Sequence, residues 1–548
     1  MKKSSVEIYN GNPTLFVDGR PCANCAYVTY MPRKANYEEF AKRGYTLYSV
    51  PLFFSSQTIN EFGAVPSLGK GIFDGRTPDF SGVDERVNQI VSARADARIF
   101  PRVNISPPRW WEDENPDELC DKTLSGNKRV CFSSDKWLSY AKDCLKIFVE
   151  YVSRAPYRDN ICGYQIACGN TEEWFGFDMD GSKGLRASEK YNEYLKASGL
   201  HDCEGTLYSF LSEMTAKAIC ELARFVKKIT CNQLAVGAFY GYSFESCDRN
   251  SGHHALKRVL EEDAIDFLCS PVSYMLNREV GFDHPYMLPL ASLKAHGKLY
   301  FSENDTRTHL TRPPFDIPHF NKPVWFGRDK KVAIENIKQH FARAFINNHA
   351  FWWFDMWGGW YNDGEYLDLM ERIHSLMEEN LLVGSKSVSE IAVVIDEKST
   401  CYVDGEIAFN VCYHTRKNLG LIGAPYDAYL SSDADKISDN YKAVIVLAPV
   451  MTDELKAIIE SKNCFVITSE NCKTEVDVLR RFCKNAGVNL YCESDSVVHA
   501  NDNYLFIHTT CDTPLSSLKI KNLDLILGDE IKNGMLKKHN GYLFKIVE

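Results

Sequence analysis

A chain of 548 residues is too long for one ordinary hydrophobic core, and its length points to two to four domains. Apolar residues at 45% and charged residues at 25% exclude a largely disordered protein. A formal net charge of −10 argues against nucleic acid or an anionic membrane as the main partner, since either asks for a basic patch.

No run approaches the roughly 18 apolar residues of a membrane span. Lys2 and Lys3 are followed by no apolar stretch, so no secretory signal is expected. The 19 cysteines are scattered along a chain too large to need staples, which fits a reducing compartment and a cytoplasmic location. Cys22 and Cys25 form a lone C-x-x-C with no second pair, so buried thiols are expected there and no metal or other cofactor.

In chain order, residues 5–20 read as a small hairpin turning at Asn10-Gly11-Asn12-Pro13, a lid on a larger domain or a short preface to it. Eight apolar strand-like runs come next, at 25–30, 45–51, 97–104, 161–167, 234–239, 265–270, 298–301 and 350–355. Helix-patterned segments separate most of them, at 37–43, 83–95, 134–154, 209–230, 253–262 and 332–348, and a helix at 365–380 closes the series. Repeated β-then-α order over some 360 residues predicts a parallel (β/α)8 barrel spanning 1–387 with its hairpin.

A second rhythm starts at 389–396 and repeats at 443–447 and 464–468, with a helix at 452–461 between the last two. This predicts a small doubly wound α/β domain over 388–487. The remainder, 488–548, has short strands and Asn/Asp/Gly turns and reads as a compact β domain.

The longest gaps follow strands, where a barrel places its chemistry. Glu303 follows the seventh run in Leu299-Tyr300-Phe301-Ser302-Glu303-Asn304, where the chain breaks into a polar loop at the C-terminal rim. Glu172 and Glu173 follow the fourth run, in Ala167-Cys168-Gly169-Asn170-Thr171-Glu172-Glu173-Trp174. Carboxylates on two strands of one rim can face each other across a sugar, the arrangement of glycoside hydrolysis. Glu303 is then the nucleophile. Of the neighbouring pair only one side chain can point inward; Glu173 is favoured because Trp174 can pack the loop behind it, and Glu172 stays open.

The acid/base is expected to have a raised pKa, from less polar surroundings and from charge on its partner. Asn170 is placed to hydrogen-bond a sugar 2-OH, or else to turn the chain after Gly169. Arg102, ending the third run, can orient a carboxylate by a bidentate pair or serve as a rim salt bridge. Tyr274 follows the sixth run and is placed to hydrogen-bond the nucleophile. Trp353, Asp355 and Trp357 are expected to build an aromatic floor. Trp110 belongs to a loop Trp pair that packs on a sugar face or on the barrel.

Three stretches, 163–174, 300–308 and 351–363, resemble the clan A glycoside hydrolases, nearest to the family 42 β-galactosidases, and 388–487 resembles their trimerisation domain. By that resemblance Glu303 matches the nucleophile and the Glu172-Glu173 pair the acid/base. A retaining β-galactosidase is implied, assembled as a homotrimer and acting at the ends of short glycosides or oligosaccharides. The family pattern sets Asn directly before the acid/base, whereas Thr171 here separates Asn170 from Glu172. The 388–487 domain also resembles an amidotransferase scaffold but has no G-x-C-x-G elbow, leaving Cys464 and Cys472 as structural thiols. A neighbouring clan A β-mannosidase and a non-catalytic sugar-binding pseudoenzyme are the alternatives.

Overall fold

The computed structural model describes residues 3–58, 60, 64–120, 129–176, 188–246 and 248–547. The chain opens with an antiparallel sheet of β1 (Ser4–Tyr9), β2 (Asn12–Val17) and β3 (Arg20–Pro21). Asn10 and Gly11 turn it with φ of 48° and 81°, the positive pair that matches the twist of a two-residue hairpin. Ser4 donates its N–H to the Gln233 carbonyl and accepts from the N–H of Ala235, which opens a barrel strand. The hairpin therefore lies against the N-terminal end of the barrel.

Eight parallel strands close the barrel: β4 (Cys25–Val28), β5 (Leu47–Phe53), β6 (Arg98–Asn104), β7 (Gly163–Ala167), β8 (Ala235–Phe239), β9 (Phe267–Pro271), β10 (Leu299–Asn304) and β11 (Ala350–Phe354). Closure comes from β11 pairing in parallel with β4, Phe351 opposite Cys25 through Phe354 opposite Val28. Helices cover the outer face, so the strands are buried on both sides and read as apolar runs instead of alternating. The helix Asp135–Val152 shows the outer-ring pattern: it buries Trp137, Ala141, Leu145, Phe148 and Val152 on one stripe, and Ser134 caps it by accepting from the Trp137 N–H.

Two departures from expectation bear on the site. β10 does not stop at Phe301 but continues through Ser302, Glu303 and Asn304, because each of these pairs in register with β11 and all are buried. The helix expected from 253 begins only at Leu256, because His253 and His254 are buried and spend their rings on neighbouring loops.

Beyond the helix Gly364–Val383 comes a parallel sheet of β12 (Ile391–Ile395), β13 (Asp427–Leu430), β14 (Ala443–Leu447) and β15 (Cys464–Ile467), ordered β13-β12-β14-β15. β13 was not foreseen; its four residues are too few for a pattern to stand out. The end of the chain forms β16 (Ser496–Ala500), β17 (Tyr504–Thr509), β18 (Thr513–Pro514), β19 (Leu523–Leu527), β20 (Met535–Leu536) and β21 (Gly541–Ile546). Four of these make an antiparallel sheet ordered β16-β17-β21-β19. It docks on the barrel helix Lys330–Ile346, where the Phe345 and Tyr504 rings meet at 4.6 Å and Glu335 accepts from the Gly541 N–H at 2.6 Å. Among the described residues no helix is long and apolar enough to cross a membrane.

Candidate active site

At the C-terminal rim β10 carries Glu303 inward, 4% exposed. Its register partner on β11 is Trp352, and side chains level with each other on adjacent strands share a face. The Trp352 indole N–H accordingly donates to Glu303 Oε2 at 3.2 Å. Arg102, on β6, donates to the same oxygen through Nη2 at 3.0 Å, while its Nε donates to Gln165 of β7 at 3.1 Å. The contact to Glu303 is thus single and not the bidentate pair expected from the sequence. The guanidinium sits 4.7 Å from the Phe239 ring centre and 5.2 Å from those of Trp352 and Phe354, so aromatic faces surround it. Burial pushes the Glu303 carboxyl up to about 7, against the pull of Arg102.

Glu173 reaches the same pocket from the turn after β7. Thr171, Glu172 and Trp174 all have left-handed backbones, with φ of 56°, 68° and 63°. Each such non-glycine residue costs about 1 kcal/mol or more and persists only where its surroundings enforce it. The enforcing contacts are specific. Trp174 is fully buried against Phe132 and Trp137 and donates to the Ile166 carbonyl. The His253 ring spans two loops, accepting the Gly241 N–H at Nδ1 and holding the Glu173 carbonyl from Nε2 at 2.9 Å. Burial lowers the imidazole to about 3, so His253 works as a neutral strut.

The Glu173 carboxylate accepts from the Tyr242 hydroxyl at 2.7 Å and from the Thr171 hydroxyl. Burial, with the charge of Glu303 next in size, pushes it up to about 8. Its neighbour Glu172 turns the other way. It is fully buried, receives the Tyr30 hydroxyl at 2.5 Å and takes no part in the pocket wall.

The pocket between Glu173 and Glu303 encloses about 580 Å³ of atom-free space including its mouth. Arg102, Tyr274 and Trp357 join the wall, with Tyr30, Phe354, Phe320 and Trp325. Trp357 packs against Phe320 at 4.8 Å and Trp325 at 5.6 Å. The Tyr274 hydroxyl does not go to Glu303; it donates to Asp305 at 2.9 Å, a carboxylate also held by Arg278 and Arg307.

Four of the proposed sugar contacts lie outside the wall. Trp353 alternates away from the barrel interior and donates to the Tyr45 hydroxyl at 3.0 Å. Asp355 accepts from the Tyr27 hydroxyl and from the N–H groups of Gly359 and Trp360, so it shapes the loop that presents Trp357. Trp110 donates to the Phe73 carbonyl and lies under the Arg76 guanidinium at 3.8 Å, packing loop on loop. Asn170 is buried and bridges to Phe175 within the turn.

No family model and no curated protein sequence matches this chain. Solved structures do. A β-galactosidase from the psychrophilic Marinomonas ef1 superposes with a TM-score of 0.64 at 10% identity, over 96% of this chain and 100% of that one. A catalytic mutant of a family 42 β-galactosidase from G. stearothermophilus gives 0.59 at 10% identity, over 95% and 98%. A family 42 exo-carrageenase from Bacteroides ovatus gives 0.58 at 13% identity, over 99% and 84%. What the likeness shows is the fold, a closed (β/α)8 barrel followed by further sheets, shared with these glycoside hydrolase structures.

Within this fold, reading the sequence missed Trp352, Tyr242, His253 and the aromatic loop bearing Phe320 and Trp325. Strand alternation was a usable signal for Trp352, since an inward Trp352 and Phe354 make Trp353 face out. No local pattern marks Tyr242 or His253, whose roles arise from loops that meet only in the fold.

Proposed function

We propose that this chain is a retaining β-glycosidase that removes terminal β-linked hexose, a β-galactoside first of all, with Glu303 as nucleophile and Glu173 as acid/base. The observation that carries the reading is the pair of buried carboxyls in one aromatic pocket, split in acidity by their beds. Glu303 has a guanidinium on it and Glu173 only hydroxyls, so a single shared proton resides on Glu173.

In the first half-reaction Glu173 gives its proton to the glycosidic oxygen while Glu303 Oε attacks the anomeric carbon, forming a glycosyl ester and releasing the alcohol. Arg102 and Trp352 steady the attacking carboxylate and accept its loss of charge. In the second, the Glu173 carboxylate takes a proton from water, whose oxygen displaces Glu303 and restores both groups. The aromatic wall of Trp357, Trp325 and Phe320 offers a stacking face for the apolar side of the sugar ring. The proposal includes a homotrimer, supported by the likeness of the 388–487 domain, and light scattering of the intact protein tests it.

The test is a panel of 4-nitrophenyl α- and β-glycosides of galactose, mannose, glucose, xylose and arabinose, run with wild type beside E303Q. Cleavage of a β-galactoside, with E303Q at least about a thousandfold slower, is expected. A protein that binds sugar but cleaves no member of the panel would be a lectin-like relic.

A further inference from the structure

A second cavity shares no lining residue with the pocket and lies where the barrel, the parallel-sheet domain and the C-terminal sheet meet. The centres of water-sized groups can range over about 40 Å³ of it, more than the roughly 10–15 Å³ that one water needs. Asp283 and Tyr286 come from the segment after β9, Arg343 from the helix Lys330–Ile346, Arg416 from the short helix Thr415–Leu419, and His499 from β16.

The polar groups of this junction are only half used. Arg416, 1% exposed, donates Nη1 to the Tyr286 carbonyl and lays its guanidinium 4.4 Å from the Phe244 ring centre. Its Nε and Nη2, the edge that grips an oxyanion side-on, have no protein partner. Asp283 Oδ1 accepts from Arg343, but Oδ2 has no partner. His499 Nε2 has none either, standing 3.9 Å from Asp283 Oδ1. The other carboxylate of the wall, Asp427, is occupied, accepting from Ser387 at 2.9 Å and Tyr441 at 2.8 Å. Buried donors and acceptors are rarely left unmade, and these three residues belong to three different domains.

We propose that this junction binds a small tetrahedral oxyanion that keeps a proton, namely hydrogen phosphate. Two of its oxygens take the Nε and Nη2 donors of Arg416, a third takes the His499 Nε2–H, and its own O–H is donated to Asp283 Oδ2. Sulfate matches the donors but has no proton for Asp283 at neutral pH, so it sets lone pairs against lone pairs. The ligand ties the three domains together beside a strand-like return, in which the Ser273 N–H donates to the Pro285 carbonyl and Val272 bridges Tyr286. That return carries Tyr274 to the pocket wall.

Equilibrium dialysis of the full chain against radiolabelled inorganic phosphate, at constant ionic strength in chloride, tests this. We expect one site per chain, sulfate competing at least about tenfold more weakly, and at least about tenfold weaker binding in both R416Q and H499L. E303Q, altered only in the sugar pocket, should bind phosphate as wild type does. Should R416Q fail to fold, H499L alone carries the test. No binding up to about 10 mM phosphate, equal competition by sulfate, or undiminished binding in the folded variants would overturn the proposal.

Discussion

The two pocket glutamates are delivered by opposite kinds of backbone. Glu303 sits in regular strand, in register with Trp352, and its oxygen is met by a buried cation. Glu173 sits in a turn where three neighbours hold left-handed conformations, and its oxygens are met by neutral hydroxyls only. In the proposed mechanism the nucleophile has to be fixed and ionised, which register and a guanidinium supply at Glu303. An acid/base has to hold a proton, release it and take one back, and neutral donors leave its two charge states close in energy. The cost of the strained turn is offset by Trp174, His253 and the Glu172–Tyr30 bond, none of which touches the Glu173 carboxylate.

The sharpest break in that contrast comes from removing the charges one at a time. E303Q should lose about a thousandfold or more in kcat on 4-nitrophenyl β-galactoside. E173Q should lose about 10²–10⁴-fold on an alkyl galactoside, whose leaving oxygen needs the proton, and less on the nitrophenyl substrate. Reversal of that leaving-group dependence would exchange the two roles.

The pH profile of kcat/KM sharpens the same comparison. The proposed mechanism needs Glu303 deprotonated and Glu173 protonated, so activity should fall below about pH 7 and above about pH 8. R102Q removes the cation that lowers Glu303, so the acidic limb should move up and the bell should narrow and shrink. Y242F removes a hydrogen bond that favours the ionised Glu173, and should move the basic limb up by less than about one unit. A basic limb that moved down would show that Tyr242 acts on the protonated form.

The sequence disclosed the barrel because eight apolar runs with helices between them admit few other solutions, and it pointed to Glu303 because a carboxylate directly after an apolar run is presented at the barrel rim. Both signals are local. What it withheld was set by direction. The run at 350–355 contains two adjacent tryptophans, and period-2 alternation decides which enters the barrel only once the register with Glu303 is known. Asp355 looks like a sugar ligand in the string of letters, yet its oxygens are consumed by the Gly359 and Trp360 N–H groups, a turn that no side-chain pattern announces. His253 reads as a helix residue because its role depends on a carbonyl 80 positions away.

The smallest expected effect concerns Glu172, and it separates two carboxylates that adjoin in sequence. E172Q should keep at least about a tenth of wild-type kcat/KM and leave both limbs of the pH profile in place, since its carboxyl faces Tyr30 and not the pocket. Stability should respond instead. Burial raises the Glu172 pKa in the folded chain, so the folded state holds a proton that the unfolded chain gives up from about pH 4.3 upward. Wild type therefore loses the contribution of this group as pH rises through that window, while the amide, which cannot ionise, does not. The melting temperature of E172Q relative to wild type should rise between pH 5 and pH 8. A relative fall would mean that the ionised carboxylate, and not the acid, is the form the Tyr30 hydroxyl holds.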